Sequence, residues 1–167
     1  MTSETNTKRI RMERTYDASI EDVWAMWTTK EGIESWWGPE GFRVEVTSLE
    51  LAPGGALRYA MIAATPETVA FMEQAGMPTS TPATIRFTEV DAPRRLAYLH
   101  TADFIPGVAP YDVATVVELH PAPNGVKLVL QFDPMHETLW TERAVAGWTS
   151  ELGKLETALA TNHGGAR

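Results

Sequence analysis

Cysteine is absent from the chain. No disulfide, thiolate nucleophile, Cys-ligated zinc or iron–sulfur cluster can therefore form, and a reducing compartment suits the protein. Positive charge is scarce: 14 Lys plus Arg stand against 22 Asp plus Glu, a formal net charge of −8. That balance opposes nonspecific attraction to nucleic acid or to an anionic membrane, so neither is expected as a partner. Apolar runs of about eighteen residues are missing, and the first eight residues, MTSETNTK, are polar, so no membrane span or export signal is expected and the location read from the sequence is cytoplasmic. Also missing are the glycine-rich phosphate loops and the G-x-S-x-G elbow of serine hydrolases. His100, His120, His136 and His163 are scattered, with no H-E-x-x-H or comparable spacing. No metal, no cofactor and no complete catalytic constellation is expected.

What remains is a chain of 167 residues, 44% hydrophobic and 22% charged, the composition of one globular domain able to bury about 70% of its unfolded surface. Residues 1–8 and 161–167 are polar and small, and are expected to be disordered tails around a single domain over 9–160. Arg9 to Tyr16 alternates as a half-buried strand, with Arg14 interrupting its apolar face. Ser19 precedes Ile20, Val23, Trp24 and Trp27 at helical spacing, and Thr29 can cap a second short helix, Lys30 to Trp36, stopped by Gly38-Pro39. From Phe42 the period becomes two. Strands are expected through Val46, with a bulge before Leu49, from Leu57 to Met61, and at Thr84–Val90, Leu96–Ala102, Val113–Leu119 and Val126–Phe132. Gly54-Gly55 is a tight turn. Between the strands, Pro66 to Pro82 is too apolar for a plain loop and predicts a helical excursion over a sheet edge or a cavity mouth. Thr141, Val145, Trp148, Leu152, Leu155 and Leu159 form one stripe on a helix of about twenty-five residues starting near Pro134. The fold class is α+β: a curved antiparallel sheet wrapped around a long C-terminal helix, with two short helices after the first strand.

The order D-A-S-I-E-D-V-W (17–24), W-W-G-P (36–39), L-x-P-G-G (51–55), the strand series and A-G-W-x-x-x-L-x-x-L (146–155) resembles the START/Bet v 1-like superfamily, and within it the activator of Hsp90 ATPase homologue 1-like branch. The resemblance implies a helix-grip fold with an elongated apolar cavity. Members bind lipids, sterols, polyketides or other apolar molecules; some catalyse cyclisation or hydration, and one eukaryotic branch stimulates a chaperone. The Pro66–Pro82 segment is longer than the hairpin common at this place.

A curved sheet and a straight helix cannot touch along their whole length, so side chains or a ligand must fill the gap. Expected to face it are Leu57, Tyr59, Met61, Ile85, Phe87, Tyr98, Leu128, Leu130, Phe132 and Trp148; ordinary core is the competing reading for each. Trp36 and Trp37 are adjacent at a helix end and are not both expected in one core, Trp37 being the candidate for a cavity wall. His100 follows Leu96 and Tyr98 on one strand face and is the histidine best placed for acid–base work. A buried Arg14 needs an acidic partner, for which Glu89, Glu118 or a ligand carboxylate are candidates; a bulge returning Arg14 to solvent is the equal alternative. Three functions compete. The first is a binding domain for an apolar or aromatic small molecule. The second is a cyclase, dehydratase or hydrolase using Tyr59, His100 or Arg14, which requires two of them to converge. The third is a chaperone-associated interaction protein, ranked last because the chain has no room for a separate partner-binding domain. The sequence leaves the oligomeric state open, a homodimer included.

Overall fold

A computed structural model describes residues 9–38, 41–102 and 107–165. In chain order the elements are β1 (Ile10–Tyr16), α1 (Ile20–Thr28), α2 (Lys30–Trp36), β2 (Phe42–Leu49), β3 (Ala56–Ala63) and α3 (Pro66–Gln74). They continue with β4 (Ser80–Asp91), β5 (Arg95–Ala102), β6 (Tyr111–Ala122), β7 (Gly125–Phe132) and α4 (Thr138–Gly165). All seven strands form one antiparallel sheet in the order β1-β7-β6-β5-β4-β3-β2. This is the expected helix-grip architecture, and its topology follows from short connections: every neighbour except β1 and β7 is joined to the next strand in sequence.

Local chemistry sets the element ends. Ser19 Oγ accepts from the Asp22 N–H at 3.0 Å and opens α1, and Thr29 Oγ1 accepts from the Gly32 N–H at 3.0 Å and opens α2; each satisfies a donor that a helix start leaves unpaired. Gly54 lies at φ +86, and a Cβ on Gly55 would stand 2.2 Å from the Glu50 carbonyl oxygen, so the β2–β3 turn tolerates little else there. Register shifts between Val46 and Ser48 and between Phe87 and Glu89 mark two bulges, and bulges bend strands and increase their twist, which curves the sheet towards α4.

Buried Trp27, Trp36, Leu57, Phe87, Leu128, Leu130, Leu152 and Leu155 belong to one core. The second half of α4 sinks into it through Leu152, Leu155 and Leu159, and the Tyr16 hydroxyl donates to the Leu152 carbonyl at 3.2 Å, tying β1 to that helix. Trp36 and Trp37 both enter this core, contrary to expectation. Trp36 closes α2, whereas Trp37 is its C-cap with φ −66 and ψ 143. That break in helical geometry turns both rings onto Trp27, at centroid distances of 4.6 and 5.5 Å. Trp36 Nε1 donates to the Met26 carbonyl at 2.8 Å, which satisfies the buried indole.

Three boundaries differ from the sequence reading. Helix α4 starts at Thr138, not near Pro134, because the Met135 N–H donates to Thr141 Oγ1 and the His136 N–H to the Tyr111 hydroxyl, at 2.8 and 3.1 Å. These bonds hold Pro134 to Glu137 as a connecting loop. At its other end α4 continues to Gly165, into the segment expected to fray, since extending a formed helix costs far less than starting one. Strand β4 begins at Ser80, pairing with Ile62. The helical excursion is α3, capped by Thr65, with Met72 buried and Phe71 exposed. The expected tail 1–8 and Pro39 lie outside the described residues.

Candidate functional site

The first half of α4 meets the rest of the fold only in places, Trp140 packing on Val113 of β6 and Ala144 and Trp148 against the core. Trp140, Arg143, Ala144, Gly147, Trp148 and Glu151 share one face of that helix and look across a pocket of about 290 Å³ at the sheet, the spacing of three and four that brings residues onto one side. The opposite wall is made of two cross-strand rows: Ile85, His100 and Val113 in one, Tyr98, Thr115 and Phe132 in the next. Tyr59 and Met61 of β3, Trp37 and Met135 complete it. Residues two apart on one strand project to the same face, which is why 98 and 100, 113 and 115, and 59 and 61 appear together.

The pocket has two unlike ends. Its deep end is buried and polar. Tyr59, Tyr98, Thr115 and Trp37 have almost no solvent exposure, and Trp37 lies 6.2 Å, centroid to centroid, from each tyrosine. The carboxyl of Glu151 enters the same space, accepting from the Gly38 N–H at 3.4 Å. One turn further on, Lys154 Nζ donates to the Gly38 and Phe42 carbonyls at 2.8 and 3.3 Å. Burial pushes the Glu151 carboxyl up to about 7, against the opposing pull of the Gly38 N–H and the Lys154 charge. Burial likewise pushes Tyr59 up to about 12, against the hydrogen bond from Trp37 and with the Glu151 charge adding to the rise. Tyr98 is raised well above its ordinary value by burial, then by the charge of Glu151. At neutral pH this end therefore offers two neutral phenols and a carboxyl group poised between its acid and its anion.

The other end is open. Arg143 is exposed and its guanidinium sits over the Trp140 ring, 4.8 Å from the centroid, a cation–π contact. Beside it Trp140, Met135 and Tyr111 pack on Val113, and the Tyr111 hydroxyl lies 3.0 Å from His136 Nδ1.

Of the residues singled out from the sequence, Trp37, Tyr59, Met61, Ile85, Tyr98, His100, Phe132 and Trp148 line this pocket. Phe87, Leu57, Leu128 and Leu130 do not: they are fully buried in the solid core behind it. Arg14 is a correction. It does lie on the inward-leaning face of β1, opposite Leu128, but β1 is an edge strand, and its guanidinium turns back to the Glu13 carbonyl at 2.7 Å, keeping its charge wet while its stem covers apolar surface. Its proposed acidic partners are taken, since Arg95 pairs with both Glu89 and Glu118 on the sheet. Of the three groups offered for catalysis, Tyr59 and His100 share the pocket and Arg14 is absent from its walls. Sequence reasoning missed Glu151, Thr115 and Arg143. The available signal was Glu151, a carboxylate one turn from Trp148 and next to the apolar stripe. Among the described residues no group of three or more His, Asp or Glu is placed to hold a metal ion, and no helix is long and apolar enough to cross a membrane.

Solved structures share this architecture. A protein from Chromobacterium violaceum superposes with a TM-score of 0.74 at 23% identity, covering 91% of this chain and 96% of its own. The AHSA1 protein from Silicibacter pomeroyi gives 0.73 at 21%, covering 93% and 99%. An AHSA1-like protein from Aeromonas hydrophila gives 0.71 at 21%, covering 93% and 94%. No curated protein matches the chain. The family model for activator of Hsp90 ATPase homolog 1-like protein matches residues 17–160, spanning both the two-helix corner and the pocket-facing half of α4, and the chain belongs to that family.

Proposed function

We propose that the protein binds an apolar or aromatic small molecule between the sheet and the first half of α4. One observation carries this reading: the helix face opposite the sheet narrows to Ala144 and Gly147 where the wall across from it is lined by Tyr98, Phe132 and His100, leaving about 290 Å³ unfilled. Protein interiors ordinarily close such gaps, because a void forfeits the contacts its lining would make. An occupant with an apolar body recovers them. The test is a thermal-shift and native mass spectrometry screen of hydrophobic small molecules against the wild type and Gly147→Leu. A Cβ at Gly147 meets nothing within 4 Å, so the leucine enters the pocket rather than the core. Molecules that raise the melting temperature of the wild type are expected to lose that effect in the variant; equal shifts in both would place binding elsewhere and overturn the reading.

A second reading, proton-transfer catalysis in the same pocket, is favoured by Glu151 standing with Tyr59 and His100 among its walls, because a carboxyl raised to about 7 by burial is matched to general acid–base work at neutral pH. Its test is a bound compound that is also converted: Glu151→Gln should keep binding and lose turnover. A chaperone-activating role, suggested by the family's name, makes no use of this pocket; binding to an Hsp90-type ATPase that survives Gly147→Leu would favour it.

A further inference from the structure

The two ends of the pocket differ in charge, and the difference assigns an orientation and a chemical class to the occupant. Glu151 and Arg143 stand on the same face of α4, two turns apart, about 12 Å along the axis. Between them the helix presents Ala144, Gly147 and Trp148. The inner end carries a carboxyl and two phenols, and its nearest cation, Lys154, is committed to the Gly38 and Phe42 carbonyls. An anion driven into that end would meet a carboxyl group and no cation among the described residues that line the pocket there. At the mouth the situation reverses. Arg143 lines the opening and is steadied over Trp140, and among the described residues no carboxylate lies within ion-pair distance of it. In a chain with a net charge of −8, a cation at a pocket mouth with no acidic partner among the described residues stands out from the prevailing field.

We infer that the pocket selects an amphipathic monocarboxylic acid bound head-outward, its carboxylate on Arg143 and its apolar body running inward past Gly147 and Trp148. This deepens the small-molecule reading above and rests on it. A guanidinium offers a planar, two-pronged donor that matches a carboxylate, and the Trp140 ring limits how far that donor can wander. The same acid bound head-inward would bring its carboxylate beside Glu151 and away from Arg143, so the charge pattern favours the head-outward orientation.

The probes are decanoic acid and decanol, which share an apolar body and differ in the head. Dissociation constants are measured at neutral pH from the fluorescence of the pocket tryptophans, and the readout is the ratio of the two. The wild type is expected to prefer decanoate by about 10-fold, the scale of a hydrogen bond to a charged group. Arg143→Gln should bring the ratio close to one, and Arg143→Lys should keep part of the preference. Raising salt from about 50 mM to about 500 mM should weaken decanoate and spare decanol, because the contact is exposed to screening. Equal or tighter binding of decanol by the wild type, or a ratio that Arg143→Gln leaves unchanged, overturns the assignment while the pocket reading stands. If neither probe binds the wild type, the assignment falls, and the pocket reading is decided separately by the screen against Gly147→Leu. Circular dichroism of each variant separates lost folding from lost selectivity.

Discussion

Replacing Glu151 by glutamine tests the electrostatics of the inner end directly. The Glu151 carboxyl is raised from an ordinary 4.5 to about 7 by burial, so over that interval the folded protein holds a proton that the unfolded chain has released. Stability therefore falls as pH rises through this window, the opposite of the usual behaviour of an acid in an ion pair. Each unit of difference corresponds to about 1.4 kcal/mol, so the cost of ionising the buried carboxyl approaches about 3 kcal/mol once pH exceeds the folded value. Glutamine keeps the shape and can still accept from the Gly38 N–H, but it cannot ionise. Glu151→Gln should match the wild type near about pH 4.5 and become progressively more stable, by up to about 3 kcal/mol at about pH 8. In a domain of this size that is a gain of roughly 6–10 °C in melting temperature. The assay is thermal or urea unfolding of both proteins at several pH values. Taking the difference between them cancels the other titrating groups. Parallel curves from about pH 5 to about pH 8 would refute the buried placement of this carboxyl.

Further outcomes follow from the turns and caps. Gly147→Ala should stabilise the fold by about 0.5–1 kcal/mol, since alanine is the better helix former and its methyl enters open space; a loss of stability in thermal unfolding would mean that the space is occupied. Ser19→Ala should cost about 1 kcal/mol in urea unfolding through loss of the α1 cap, and an unchanged midpoint would show that the cap bond to Asp22 contributes nothing. Gly55→Ala should cost at least about 2 kcal/mol, with backbone rather than a side chain in the way of the new methyl at 2.2 Å; native-like unfolding would show that the β2–β3 turn relaxes freely.

The elements of the fold were legible because their signals are local. Ser19 and Thr29 announce caps, the Val44–Val46 alternation and its break at Thr47 announce a bulged strand, and the α4 stripe announces a helix with one buried side. The tryptophan pair was misread because adjacency at a helix end was taken to send the two rings apart: Trp37 is already extended, and its ring follows the cap geometry, not the helix. Arg14 was open between a buried ion pair and a return to solvent, and it returns to solvent without the bulge. Its place on the face of β1 was read correctly, but a long flexible stem on an edge strand decides for itself where its charge goes, and periodicity carries no information about that.

The pocket walls pose a harder problem, since composition does not separate a wall from a core. Leu57 and Phe87 are as apolar as Met61 and Phe132, yet the first two are packed solid while the second two face space. What separates them is the helix opposite. Where α4 presents Leu152, Leu155 and Leu159 the gap is filled, and where it presents Ala144 and Gly147 it is not. The pocket therefore opens at the two small residues, Ala144 and Gly147, that stand between Trp140 and Trp148 on this helix face. A glycine in mid-helix costs up to about 1 kcal/mol relative to alanine, with no turn or close approach at Gly147 that requires it. Gly153, exposed on the same helix, has the same open space around a Cβ, so what matters at Gly147 is its position among the pocket walls and not the residue type. Substitutions that enlarge Gly147 should lose small-molecule binding as they gain stability, read by titration and thermal unfolding of the same variants.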